Sequence, residues 1–167
     1  HYTLNDNNGP EQLIFIDPKD CSRVDSIPFP VPMGMLDDNL SLAMSSDSSF
    51  FLGDEFGRVT IYDAHSKSFN LLVPTFQFVN FDPSRRVTAY EFGPDSLLYY
   101  SRYDDIYRYH FILDIHQKLD VATGNADFVL GMTFHKDTLY FIENKVGEPH
   151  KLYQVDPTTG QSQLVHS

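Results

Sequence analysis

The stretch Tyr99-Tyr100-Ser101-Arg102-Tyr103-Asp104-Asp105-Ile106-Tyr107-Arg108-Tyr109-His110-Phe111 carries five tyrosines and two arginines. Its chemistry is recognition rather than bond breaking, because Tyr and Arg bring rigid rings and forked donors at modest entropic cost and dominate binding hot spots. Tyr99, Tyr100, Arg102, Tyr103, Tyr107, Arg108 and Tyr109 are therefore candidate binding residues on a predicted hairpin. A structural reading competes with this one: the same rings can fill a wedge between packed sheets, with an arginine stacked on them or paired with Asp104 or Asp105. A second candidate surface is the connection 74–85, where Phe76, Phe78 and Phe81 fall between strand patterns. Aromatic rings in a connection, if exposed, mark an interaction site. The connection 28–38 is similar, with Pro28, Pro30 and Pro32 holding it extended or turned.

Groups for catalysis or metal binding are scattered. His1, His65, His110, His116, His135, His150 and His166 show neither the helical i, i+4 spacing nor the His/Cys spacings of zinc sites. The acid pairs Asp37-Asp38, Asp54-Glu55 and Asp104-Asp105 put oxygen ligands in loops, so a divalent cation such as calcium has somewhere to bind, but the ligand order of a helix-loop-helix calcium site is missing. No nucleophile elbow, dinucleotide fingerprint or Walker loop is present. No catalytic residue, metal ligand or cofactor is assigned, and the chain reads as a binder more than an enzyme.

Composition narrows the partners. The 167 residues carry a formal charge of −11, with 41% hydrophobic and 21% charged residues, which is ordinary for a folded globular chain. That negative charge, with no Lys/Arg stripe against it, repels a phosphate backbone and an anionic membrane surface alike. No apolar stretch approaches the roughly 20 residues that span a bilayer. The lone Cys21 cannot form an internal disulfide and reads as a small turn residue. Lacking an initiator Met, the chain is expected to be a processed product or a fragment.

The elements that position these residues come from a repeat. Leu13-Ile14-Phe15-Ile16-Asp17, Val59-Thr60-Ile61-Tyr62-Asp63, Ile106-Tyr107-Arg108-Tyr109-His110 and Leu152-Tyr153-Gln154-Val155-Asp156 align, and their last positions, 17, 63, 110 and 156, are 46, 47 and 46 apart. A turn followed by an aromatic strand recurs upstream, at Asp47, Asp95 and Asp137. The 24 Phe and Tyr residues in short alternating clusters favour strands, and helix content is expected to be low. Each period holds four strands: about 40–44, 49–53, 58–63 and 68–73; about 87–92, 97–102, 106–111 and 117–121; about 129–134, 138–143, 151–155 and 161–165. The first unit, 1–27, offers three, at 1–4, 12–16 and 23–27. Tandem four-stranded antiparallel units of this length predict an all-β fold, a β-propeller or a propeller segment of about 3.75 blades, with 1–167 as one domain.

Thr138-Leu139-Tyr140-Phe141-Ile142-Glu143-Asn144, followed by Lys151-Leu152-Tyr153-Gln154-Val155-Asp156-Pro157-Thr158-Thr159-Gly160, resembles the blades of YWTD-type and related six-bladed propellers. The resemblance implies a scaffold whose members include receptors, adhesion modules, lactonase-like enzymes and lectins. It leads to three expectations. The first is a non-catalytic module presenting loops and aromatics to a protein, peptide or glycan. The second is a propeller hydrolase or lactonase with a divalent metal at the central channel. The third is a structural segment that completes a ring with another chain or its own copy. Blades of this type, and the sequon Asn39-Leu40-Ser41, lean towards an extracellular setting.

Overall fold

In the computed structural model of the chain, the described residues are 2–4, 12–28, 41–44, 49–53, 59–71, 87–121 and 127–167. They form fifteen strands and, among themselves, no helix. The candidates Phe76, Phe78 and Phe81, the connection 29–40 and the turn at Asp47 lie outside them.

Contacts divide the chain into two compact units, 1–40 and 41–167. The first holds an antiparallel sheet of β1 (Tyr2–Leu4), β2 (Gln12–Ile16) and β3 (Arg23–Pro28) in that order. Cys21 sits exposed in the turn between β2 and β3 with φ +59°, its N–H donating to the Asp17 carbonyl at 2.9 Å.

The second unit holds three sheets, each a four-stranded antiparallel meander. They are β4 (Ser41–Met44), β5 (Ser49–Gly53), β6 (Val59–Asp63) and β7 (Ser68–Leu71); β8 (Val87–Phe92), β9 (Leu98–Arg102), β10 (Asp105–His110) and β11 (Ile115–Lys118); and β12 (Phe128–His135), β13 (Thr138–Asn144), β14 (Lys151–Val155) and β15 (Ser162–His166). We call them the second, third and fourth blades. The boundaries read from sequence hold to within two or three residues. The largest departure is β11, expected at 117–121, because the chain turns at Phe111–Asp114 and starts the next strand at Ile115. Tyr109 stabilises that turn by donating its hydroxyl to Asp114 at 2.9 Å. Leu119 has left the strand and is buried, its N–H bonded to the Ile106 carbonyl.

β8 packs against β4 on one side and β12 on the other. Two apolar layers result. One, between the second and third blades, contains Ala43, Phe51, Val87, Tyr90, Leu98, Tyr100 and Tyr109. The other, between the third and fourth, contains Ala89, Tyr99, Ile106, Val129, Leu139, Phe141, Tyr153 and Val155. Each large side chain removed from water in this way contributes about 1.5–3 kcal/mol.

The layers repeat in detail. Phe51 stacks on Phe92 with ring centroids 4.8 Å apart, and Tyr99 meets Phe134 edge-on at 4.9 Å, so in both cases a second-strand ring reaches the first strand of the next blade. Within blades, Tyr100 stacks on Tyr107 and Phe141 on Tyr153, each at 5.1 Å. Such contacts add roughly 0.5–1.5 kcal/mol beyond burial.

Candidate binding site

The hairpin β9–β10 has its rings inside. Tyr99 and Tyr100 are 0% and 1% exposed, and Arg102 and Tyr109 are also buried. Tyr107 and Arg108 are half-buried, and Tyr103, at the hairpin turn with φ +56°, is 38% exposed. Tyr99, Tyr100, Arg102 and Tyr109 therefore face other blades, and a partner has access to Tyr103 and the edges of Tyr107 and Arg108. Burial is also the first cause that pushes up the hydroxyl pKa of all four buried or half-buried tyrosines, with Tyr109 reaching about 12 beside Asp114.

Arg108 joins two blades. Its Nε and Nη2 donate to Gln117 Oε1 at 3.0 and 2.7 Å, and its Nη1 donates across to the Pro157 carbonyl at 3.2 Å. This holds the turn 156–161 of the fourth blade against the third. Asp156 organises the same turn by accepting the N–H groups of Thr158 and Thr159, bonds that hold its carboxyl below the usual range. Asp17 and Asp63 accept from Lys19 and His65 in the same way, both at 2.8 Å, so the repeated aspartates serve as turn formers. Gly160, with φ +76°, closes the turn so near the Asp120 backbone that a Cβ there would lie 3.1 Å from the Asp120 nitrogen.

Beside this turn lies a groove of about 610 Å³ between the third and fourth blades, lined by Pro94, Asp95, Phe134, Asp137, Thr138, Asp156, Pro157 and Thr158. Three separate turns supply its acids. Asp95 is fixed from below, accepting the Tyr99 hydroxyl at 2.7 Å and the Leu97 N–H at 3.1 Å. Asp137 and Asp156 are exposed. Phe134, packed on Tyr99, contributes an apolar wall. Sequence reading assigned these aspartates to turns and did not anticipate that they converge. The available signal was the repeat itself, which puts the turn after one first strand beside the turns of the next blade.

Next to Phe134 is Glu91, whose carboxylate accepts the Phe134 N–H while burial pushes its pKa up from 4.5 to about 7. With the folded value above the unfolded one, the folded state holds a proton that the unfolded chain has lost in this window. The stability linked to Glu91 is complete below the unfolded value and is lost as pH rises towards about 7. Thermal melts of Glu91→Gln are expected to match the parent near pH ~4.5, and to show a higher midpoint by several degrees above pH ~7. Parallel curves for the two proteins across that range would refute the assignment.

At the opposite end of the blades, Asp105 pairs with Lys118 at 2.6 Å and accepts the Tyr107 hydroxyl at 3.2 Å. Among the described residues, no three of His, Cys, Asp and Glu gather in a metal-holding cluster. The acid pairs 37–38 and 54–55 lie outside the described residues.

No family model and no curated protein matches the sequence. Solved structures do. TolB from Acinetobacter baumannii superposes with TM-score 0.65 at 15% identity, over 99% of this chain and 40% of its own. A nidogen/laminin complex gives 0.63 at 15%, over 95% and 57%, and U3-55K gives 0.61 at 17%, over 93% and 45%. The fold is that of a β-propeller. Its blades are the four-stranded sheets described above, and the chain spans between 40% and 57% of the lengths of these three propellers.

Proposed function

We propose that this propeller chain is a non-catalytic interaction module, and that the groove between the third and fourth blades takes a polypeptide segment of its partner through a basic side chain. The observation that carries the reading is the convergence of Asp95, Asp137 and Asp156 on one groove with Pro94, Phe134 and Pro157 beside them. An ammonium or guanidinium group has three carboxylates to meet, and its apolar stem has a ring and two prolines to lie on. The turns are preorganised by the bonds of Asp95, Asp156 and Arg108, which lowers the ordering cost of binding. One of the similar propellers is itself in a protein complex, that of nidogen and laminin.

The test is titration of the chain with a short Lys/Arg-rich peptide by calorimetry. Asp137→Lys, at an exposed position, is expected to weaken binding at least about tenfold, and rising salt should weaken the parent complex. Equal affinity for parent and Asp137→Lys would remove the groove from the account.

A further inference from the structure

We propose that the groove is gated by a proton: Glu91, bonded to the wall that Phe134 forms, strengthens the hold on a basic side chain when ionised and weakens it when protonated. The inference rests on the groove's taking such a side chain, and adds what regulates it. Glu91 reaches two parts of the groove at once. Its carboxylate accepts the Phe134 N–H, and within its own sheet it pairs with Tyr99. The Tyr99 ring meets the Phe134 ring edge-on at 4.9 Å, and the Tyr99 hydroxyl donates to Asp95 at 2.7 Å. Phe134 and Asp95 both line the groove. The parts between them are tightly fitted, since a Cβ at Gly93 would stand 2.6 Å from the Tyr99 ring and closer still to the Asp95 carboxylate.

Charge decides the sign. Burial is what raises Glu91 to about 7, and what opposes it is the Phe134 N–H, a dipole rather than a charge. The elements packed on β8 bring few charges to it. β4 has no titratable side chain, and from β9 the facing group is the Tyr99 phenol, with Asp95 and Arg108 beside it. β12 and its turn bring His135, Lys136 and Asp137, all three exposed. A lysine or arginine laid along Phe134 carries a full positive charge towards this carboxyl, favours its ionised form and drives its proton off. By reciprocity, an ionised Glu91 binds that cation more tightly. Binding also returns the stability that ionisation of Glu91 takes from the free chain as pH rises towards about 7.

The test is calorimetric titration of the intact chain with a Lys/Arg-rich, histidine-free peptide, in buffers of different ionisation enthalpy, from pH ~5.5 to ~8.5. The expected result is release of a fraction of a proton per peptide, greatest near pH ~7, with affinity rising about three- to tenfold across the range. Glu91→Gln, whose amide oxygen can still accept the Phe134 N–H, should abolish both effects. His135→Gln, which removes the imidazole at the end of β12, should keep both. The Phe134 amide resonance gives an independent reading: it should titrate with a midpoint of about 7 in the free chain, move to lower pH with peptide bound, and stay flat in Glu91→Gln. Binding that Asp137→Lys weakens but that releases no proton, or release that follows His135 instead of Glu91, would overturn the gate and leave the groove standing. No binding at any pH would remove both.

Discussion

Replacing Phe141 by alanine is expected to lower the unfolding free energy by about 3–5 kcal/mol, the range for removing a large buried aromatic side chain. Phe141 is 1% exposed, stacks on Tyr153 and belongs to the layer that joins the third and fourth blades. The surrounding rings are held by strand pairing on both sides, so the void has little room to collapse. For a chain of this size the loss should lower the melting midpoint by roughly 10 °C. Ile142→Ala, one residue along the same strand and partly exposed, should change it far less. Equal effects at the two positions would mean that the strand does not present these residues to opposite faces.

The second large effect has the opposite sign. Glu143 is 1% exposed, and among the described residues neither of its carboxylate oxygens has a partner at hydrogen-bond geometry. The Tyr153 hydroxyl stands beside it: burial raises the tyrosine pKa first, and the neighbouring carboxylate raises it further. Lys151, directly across the strand pair, turns instead to Glu148 at 2.9 Å. A buried carboxylate that no hydrogen bond from the described residues satisfies carries a desolvation cost that the nearby Tyr153 and Lys151 offset only electrostatically. Glu143→Met keeps the length of the side chain and removes the charge, and chemical denaturation is expected to show a gain of roughly 1–3 kcal/mol. A loss of stability would mean that the carboxylate makes a favourable interaction in solution and would reverse this view of the position.

The repeat explains why this acid is easy to overlook. Arg102 in the third blade lies between Val87 and Asp105, as Glu143 in the fourth lies between Val129 and Lys151. The two blades place opposite charges at one structural position, and a pattern of apolar and polar letters does not distinguish a paired position from an unpaired one.

Strand existence and order were legible because aromatic runs alternate with Asp, Gly and Pro turns. Facing was not. Aligning Leu97 with Leu139 is natural from the letters, yet Phe92 pairs with Leu98 and Phe134 with Leu139. The turn after β8 spans 93–97, whereas that after β12 is only Lys136 and Asp137, with Lys136 at φ +57°. A slip of one residue exchanges the two faces of a strand. The Tyr/Arg hairpin shows a second limit: every residue of β9 is buried, because the strand has blades on both sides. Its sequence therefore lacks the alternation that separates core from surface. The groove lay further from view, since Asp95 lies more than forty residues before Asp137 and Asp156 in the chain and meets them only through blade stacking.

Blade stacking in this register underlies the groove, and a nuclear Overhauser spectrum of the isotope-labelled chain tests it most directly. Cross-peaks between the rings of Tyr99 and Phe134, and between those of Phe51 and Phe92, are expected from their centroid separations of 4.9 and 4.8 Å. Intact cross-peaks within each sheet, with none between these ring pairs, would contradict the account.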